Sequence, residues 1–515
     1  MYYKNVNDDE CIKLKSVAES FNNDVNTKLK FIDRKILSLG LEKVSSFINE
    51  NPKLELYKLS LHNLFRLEEH IQSDEINQKI KENNDGINEQ LSIYNNLLRD
   101  IEYGIIDVDG EEVKITSFNF VKYISSRDRD TRKQTYYVVN NAFQKEKDNF
   151  ANLLNRIYGY RMENSILEKY NSVLENILFE ENINPEIINK LIESVNNNLG
   201  IAQKYLKLKS NLLKIEKLHL YDFGVPLDSN LKIKYSLEEA RKIILKALEP
   251  LGLEYIEAVK TLFNGHIDAE LNENKHQSMT FSWHTYSFMN FRGSYIDLKN
   301  MIHEIGHIAN YYLSKQQQPF IYEDSTIFVG EIASIVNEIL LNRYLYNNAK
   351  NNEEKIFYLS KEIENYFTSV FKQTMYTEFE NNLYKIRANS ELTSEILCEK
   401  YYSILKKYYG NDISYDEIAN VEWTRLGHLY RWSYYPYKYA TGLLMASFIV
   451  DSLIDKKILP IKSYIEFLSL GSSKYSLDLL KTINIDLINS NIIENGFNIL
   501  SNDIDKLCAI LDIKT

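Results

Sequence analysis

Cysteine, proline, glycine and histidine are all scarce: the 515 residues include 3, 7, 17 and 9 of them, respectively. Cys11, Cys398 and Cys508 are far apart and form no C-x-x-C pair, which argues against cysteine-held metal and suits a reducing compartment. A surplus of basic charge is also missing. Lys and Arg number 61 against 72 Asp and Glu, a net charge of -11 that disfavours non-specific binding to nucleic-acid phosphates and leaves the surface open to small, often basic, peptides. Nor is there a long apolar run. The stretch from Gly442 to Val450 stops at Asp451, about half the length that spans a bilayer. The opening MYYKNVNDDE has no apolar core, so neither a secretory signal nor a transit peptide is expected. These absences predict a cytoplasmic chain with no membrane and no nucleic-acid partner.

What is present is an ordinary globular balance, 44% hydrophobic and 26% charged, in a chain longer than one hydrophobic core usually holds. Leu and Ile recur at helical spacing over residues 18–41, 54–80 and 183–218, and few Pro or Gly interrupt them. The expected fold is therefore mainly all-α. One hairpin signal stands out at 105–115, where Asp109-Gly110 lies between alternating Val108, Val113 and Ile115. It suggests an N-terminal helical region (1–105), a helical segment opened by the hairpin (106–182) and a third region (183–515). A strand-like run at 285–291, ending at Gly293, directly precedes the most informative helix.

That helix contains Met301-Ile302-His303-Glu304-Ile305-Gly306-His307. Leu298, Met301, Ile302, Ile305, Ile308, Ala309 and Tyr312 form an apolar stripe with His303 and His307 together beside it. Two imidazoles one helical turn apart can converge on a single ion, and zinc takes neutral His nitrogens at about 2.0–2.1 Å in a roughly tetrahedral set. Glu304, next to the first imidazole, is positioned as a general base toward water at such an ion. Gly306 costs about 1 kcal/mol relative to Ala in a helix interior, so a close approach by another element is expected there. The bland alternative is a pair of half-buried histidines beside a chance acid.

A catalytic zinc site needs a third protein ligand and keeps one position open. The next strong helix, with capping candidates Asp324 and Ser325, carries Phe328, Ile332, Ile335, Val336 and Ile339 on a core stripe and Glu331, Ser334 and Glu338 on another face. Glu331 follows His307 with 23 residues between, enough chain to return a carboxylate to the same ion. Glu338 is the natural group to orient a ligand histidine, or else a solvated surface acid. Together these residues predict one Zn2+ per chain on His303, His307 and Glu331.

With HEIGH and YEDSTIFVGEIASIVNE in place, the sequence resembles the oligoendopeptidase F branch of the thimet oligopeptidase and neurolysin metallopeptidases. The likeness extends to SFNFVKYISSRDRDTRKQTYYVVNNAFQKEKDNFANLL, to LHLYDFGVPL and to HLYRWSYYPYKYATG. It implies a two-lobed helical zincin with a deep central channel, a small β-sheet next to the active-site helix, and hydrolysis of internal bonds in short unfolded peptides. It also implies substrate or oxyanion contacts from His428, Tyr430 and Tyr437, with Tyr434 able to trade places with a neighbour. The bland alternative, aromatic packing, is the favoured reading for Tyr434, Tyr435 and Tyr439. The segment SFMNFRG would offer a strand edge to the peptide backbone, with Asn290, Phe291 and Gly293 as substrate contacts. Two features depart from the family: Asn310 stands where a third histidine is common, and KHQSMTFSWHTYS replaces a glycine-rich loop, with His276 and His284 read as peripheral. Rival readings are an HExxH zinc carboxypeptidase and a peptide-binding scaffold with a degenerate site.

Overall fold

Helical periodicity becomes helices, but local caps set lengths that periodicity does not. The computed structural model describes residues 5, 8–227, 231, 233–272, 275, 281–487 and 491–513. The run expected at 54–80 is not one helix: Pro52 opens a 3-10 turn (Pro52–Tyr57), a short helix follows (Lys58–Arg66), and a new helix starts at Asp74 (Asp74–Asp100). Ser73 causes that restart, its hydroxyl accepting from the Ile76 N–H at 3.3 Å in an N-cap. The expected 183–218 helix is likewise two, Glu186–Asn197 and Leu199–Leu213. They part at Asn198, whose side-chain amide donates back to the Ser194 carbonyl at 2.9 Å.

The hairpin forms as the turn chemistry requires. Strands β1 (Gly104–Val108) and β2 (Glu111–Ile115) pair antiparallel, and Asp109 and Gly110 both take positive φ, 56° and 86°, as a two-residue primed turn demands.

The chain divides into two compact units. The first comprises Met1–Ile71, Lys232–Asn348 and Met445–Leu487, and the second Gln72–Leu231, Ala349–Leu444 and Ile488–Thr515. Both are built mainly of helices. Among the described residues no helix is long and apolar enough to cross a membrane.

Within the first unit, strands β3 (Ile267–Asp268), β4 (Phe281–Trp283) and β5 (Tyr286–Phe288) form a sheet in the order β3-β5-β4, with β5 parallel to β3 and antiparallel to β4. The sheet packs on the helix Tyr295–Gln317, hereafter the histidine helix. The strand expected over 285–291 is regular for only three residues, yet the chain continues pairing irregularly: the Met289 and Phe291 N–H groups donate to the Asp268 and Ala269 carbonyls. Consequently β5 itself, 286–288, is flanked by strands on both sides, while over 289–293 the pairing among the described residues is on the β3 side. β5 is the central strand, and β4 is terminal.

Gly293 takes φ 82°, and a Cβ there would lie 2.4 Å from the Tyr235 carbonyl oxygen, so only glycine fits. The histidine helix then starts on a capping box, Ser294 and Asp297 each bonding the other's backbone N–H. Leu298, Ile302, Ile305 and Ile308 are wholly enclosed. Each such burial contributes about 1.5–3 kcal/mol relative to exposure, which fixes the rotation of the helix and hence the direction of its histidines.

Candidate metal centre

The histidine helix runs against the helix Ile327–Asn347, hereafter the glutamate helix, and the two approach unusually closely at Gly306. A Cβ on Gly306 would lie 2.4 Å from Ser334 Cα and 2.8 Å from Ser334 N, so the glycine is the close approach that its helix-breaking cost predicted. Ser334 is itself fully buried in that contact. Thr326, not Asp324 or Ser325, caps the glutamate helix by accepting from the Val329 N–H. Asn337 adds a second tie, donating to the Ile302 carbonyl and bonding the Tyr255 hydroxyl.

This packing aligns Lys299, His303 and His307, spaced four apart, with Glu331 and Glu338, spaced seven apart. His303 Nε2 and His307 Nε2 face each other at 3.1 Å, and the Glu331 oxygens lie 3.8 Å and 3.9 Å from them. The ligand atoms of all three lie within 4.8 Å of one another, and the three side chains are about one-quarter exposed. Two ring nitrogens and a carboxylate converging on one point are reconciled by positive charge between them. In a tetrahedral zinc set, two nitrogens at about 2.0–2.1 Å from the ion stand roughly 3.3 Å apart, so this donor set fits the ion with small side-chain adjustments.

Tautomer control is also built in. His303 Nδ1 lies 2.6 Å from Glu338 Oε1, and Glu338 Oε2 lies 3.0 Å from Lys299 Nζ. A carboxylate accepts only, so the Nδ1–H donates to it and Nε2 is the atom turned toward Glu331. Burial opposes protonation of His303, but Glu338, aided by Glu331 and Glu304, outweighs it and raises the imidazole above its ordinary value. His307 goes the other way, pushed down to about 3 by burial and by its neighbour His303. Burial raises the Glu331 carboxyl. Burial alone would raise Glu338 too, yet Lys299 and His303 hold it down at about 2. Glu304 is buried on the same helix, near enough to His303 to favour its charged form.

The strand residues have structural occupations. Asn290 Oδ1 accepts from the Asn272 N–H at 2.8 Å, Phe291 is buried, and the Gly293 carbonyl accepts from the Tyr235 N–H. Asn310 donates to the Leu468 carbonyl at 2.8 Å and is buried, so it anchors the helix away from the ligand set. His284 sits exposed at the β4–β5 turn with φ 52°, its ring 4.7 Å from that of Tyr311. His276 lies outside the described residues.

His428, Tyr430, Tyr434 and Tyr437 belong to the second unit. Tyr430 is fully enclosed, stacked on Tyr94 at 4.0 Å with Phe150 at its edge, and Tyr437 is enclosed too. Neither hydroxyl finds a hydrogen-bond partner among the described residues, and burial pushes both phenols up. Tyr434, at φ 52°, is held by its own N–H donating to buried Glu380 and by its hydroxyl on Asn381.

The half-exposed rings around His428 are instead Trp432, Tyr435 and Tyr439, at 6.1, 5.9 and 6.0 Å. Tyr430 and Tyr437, expected as substrate or oxyanion contacts, are thus enclosed tyrosines of this segment. Tyr437 and Tyr439 are two residues apart on the helix opened by Pro436, hence on opposite faces, and only the packing decides which face is buried.

The family model described as peptidase family M3 matches residues 122–499. The chain is 31% identical to oligopeptidase PepF of Bacillus subtilis, over 92% of this chain and 72% of that one. It is 30% identical to an oligoendopeptidase F homolog of Borreliella burgdorferi, over 98% and 85%. The crystal structure of oligoendopeptidase F from Enterococcus faecium shares the fold, with TM-score 0.77 and 23% identity over 99% of this chain and 88% of that one.

Proposed function

This chain belongs to peptidase family M3 and is a metallo-oligopeptidase acting on peptides; from that premise we propose that His303, His307 and Glu331 hold one zinc ion and that Glu304 is the general base for cleaving internal bonds of short unfolded peptides. The observation that carries the reading is the convergence of two Nε2 atoms, 3.1 Å apart, on one carboxylate. Zinc, when bound, supplies a Lewis acid that polarises the peptide carbonyl and makes water a stronger acid.

The chain's own groups do the rest. Glu338 holds His303 in the tautomer that presents Nε2, and the Gly306 contact keeps Glu331 opposite both rings. Glu304 takes a proton from the attacking water and delivers it to the departing amine. Its burial removes competing solvent, which strengthens its electrostatic action.

In the second unit, His428 with Tyr435 and Tyr439 is the set whose polar tips suit hydrogen bonds to substrate, since the Tyr430 and Tyr437 hydroxyls are enclosed. Main-chain pairing with a peptide is assigned to β4, a terminal strand of the sheet, because β5 is paired on both sides at Ser287 and Phe288. Three free cysteines, two of them buried, are compatible with a cytoplasmic location.

The test is Glu304→Gln. That variant is expected to retain about one zinc per chain while losing cleavage of an internally quenched fluorescent peptide, and mass spectrometry of wild-type products is expected to show internal cuts. Full activity in the variant would contradict the role of Glu304, and an end-trimming ladder would contradict the endopeptidase reading.

A further inference from the structure

The second turn of the histidine helix carries a cation that the ligand motif does not include. Lys299 lies four residues before His303, on the same helical face, and its Nζ is 3.0 Å from Glu338 Oε2. The other oxygen of that carboxylate is 2.6 Å from His303 Nδ1. Lysine, carboxylate and imidazole therefore form a short relay that ends on the ring nitrogen facing Glu331. The side chains of Lys299 and Glu338 are only 28% and 13% exposed, so water competes weakly for this pairing.

We propose that Lys299 is a positioning residue for the metal site: by gripping Glu338 Oε2 it holds Oε1 on the Nδ1–H of His303 and keeps Nε2 aimed at the ion. The inference rests on the zinc reading above.

A carboxylate held at one oxygen can rotate about its last bond and leave the ring; one held at both cannot. The three donors and acceptors sit on two helices, with Lys299 and His303 on one and Glu338 on the other. The relay therefore also fixes the relative register of the helices beside the Gly306 contact. Formal charge points the same way. Glu304, Glu331 and Glu338 bring three negative charges to one small region, and Lys299 with a divalent ion balances them, whereas removing the lysine leaves one negative charge uncompensated. A methionine at 299 keeps most of the stem and loses the grip. An arginine keeps a donor with a wider, planar head.

The experiment measures zinc affinity of the full chain by competition with a chromophoric chelator, alongside urea unfolding of the metal-free protein to establish that each variant is folded. The variants are Lys299→Met, Lys299→Arg, Glu338→Gln and the Lys299→Met/Glu338→Gln pair. Groups that orient metal-bound histidines typically change affinity by about 10–100-fold. Lys299→Met is expected to weaken zinc binding within that range, Lys299→Arg to recover most of it, and the double variant to bind no more weakly than Glu338→Gln alone, because the lysine acts only through that carboxylate. Unchanged affinity in Lys299→Met, or a double variant whose loss is the product of the two single losses, would overturn the role of Lys299 while leaving the metal site intact. A wild-type chain that binds no zinc would overturn the metal reading itself, and the role of Lys299 with it.

Discussion

Gly306→Ala sets two magnitudes against each other. Alanine is favoured over glycine in a helix interior by about 1 kcal/mol, so an isolated helix would gain. In this chain the new Cβ would lie 2.4 Å from Ser334 Cα, 2.8 Å from Ser334 N and 3.0 Å from the Ala333 carbonyl oxygen. Carbon atoms pack best at about 3.5–4.0 Å, so the helices must part by roughly 1 Å, and all three obstacles are backbone atoms that cannot swing aside. Overpacking of this kind costs about 1–3 kcal/mol and sometimes more, which outweighs the propensity gain. Parting the helices also carries Glu331 away from His303 and His307, which it already faces from 3.8 and 3.9 Å. The expected result is a lower urea midpoint for metal-free Gly306→Ala at unchanged slope, together with weaker zinc binding. Gly200 is the control. Nothing lies within 4 Å of a Cβ there, in the helix Leu199–Leu213, so Gly200→Ala should gain up to about 1 kcal/mol. A Gly306→Ala variant as stable as wild type, with undiminished zinc affinity, would refute the close-packing account.

Three further outcomes follow from the second unit. Tyr439→Phe should lower kcat/KM by about 100-fold, as loss of one oxyanion donor does, whereas Tyr430→Phe should leave it nearly unchanged; steady-state kinetics decides, and the reverse order would restore Tyr430 to the site. Asp222 is fully buried with Arg132 Nη2 at 2.6 Å and Arg129 at 2.9 Å, so Asp222→Ala should cost about 3–5 kcal/mol in chemical denaturation, and a loss under about 1 kcal/mol would contradict that. Burial raises Glu380 from the ordinary 4.5 to about 8. The folded chain then holds a proton that the unfolded chain has released, so this contribution to stability is complete below about pH 4.5 and is lost as pH rises through about 8. Glu380→Gln should flatten that decline in a series of unfolding curves, and an identical pH profile in the variant would rule it out.

Much of the candidate metal site was legible because one helical turn contains it. His303, Glu304 and His307 need only the period of the helix, whereas Glu331 needs a second helix with the right face together with the family pattern. The reason for Gly306 was not legible, since Ser334 reaches it through tertiary packing alone. Lys299 was missed for a related reason. Its i,i+4 spacing to His303 was visible, but its partner is on the other helix. The tyrosines near the C-terminus show the limit most clearly: spacing puts Tyr437 and Tyr439 on opposite faces, but it does not say which face the rest of the unit covers. Likewise, the periodicity at 54–80 was real, and Pro52 and Ser73 broke it through local backbone chemistry. Of the edge expected along 287–293, Ser287 and Phe288 are paired on both sides, because a two-residue strand, Ile267–Asp268, too short to signal itself, lies opposite β4 there.

The claim on which the rest depends is that two imidazoles and one carboxylate, with no sulfur, hold the ion. Zinc K-edge X-ray absorption on the purified full chain measures this directly. The expected spectrum has a nitrogen/oxygen shell at about 2.0–2.1 Å with outer-shell scattering from two imidazoles, one of which disappears in His307→Ala. A sulfur shell near about 2.3 Å, or two-imidazole scattering that persists in His307→Ala, would contradict it.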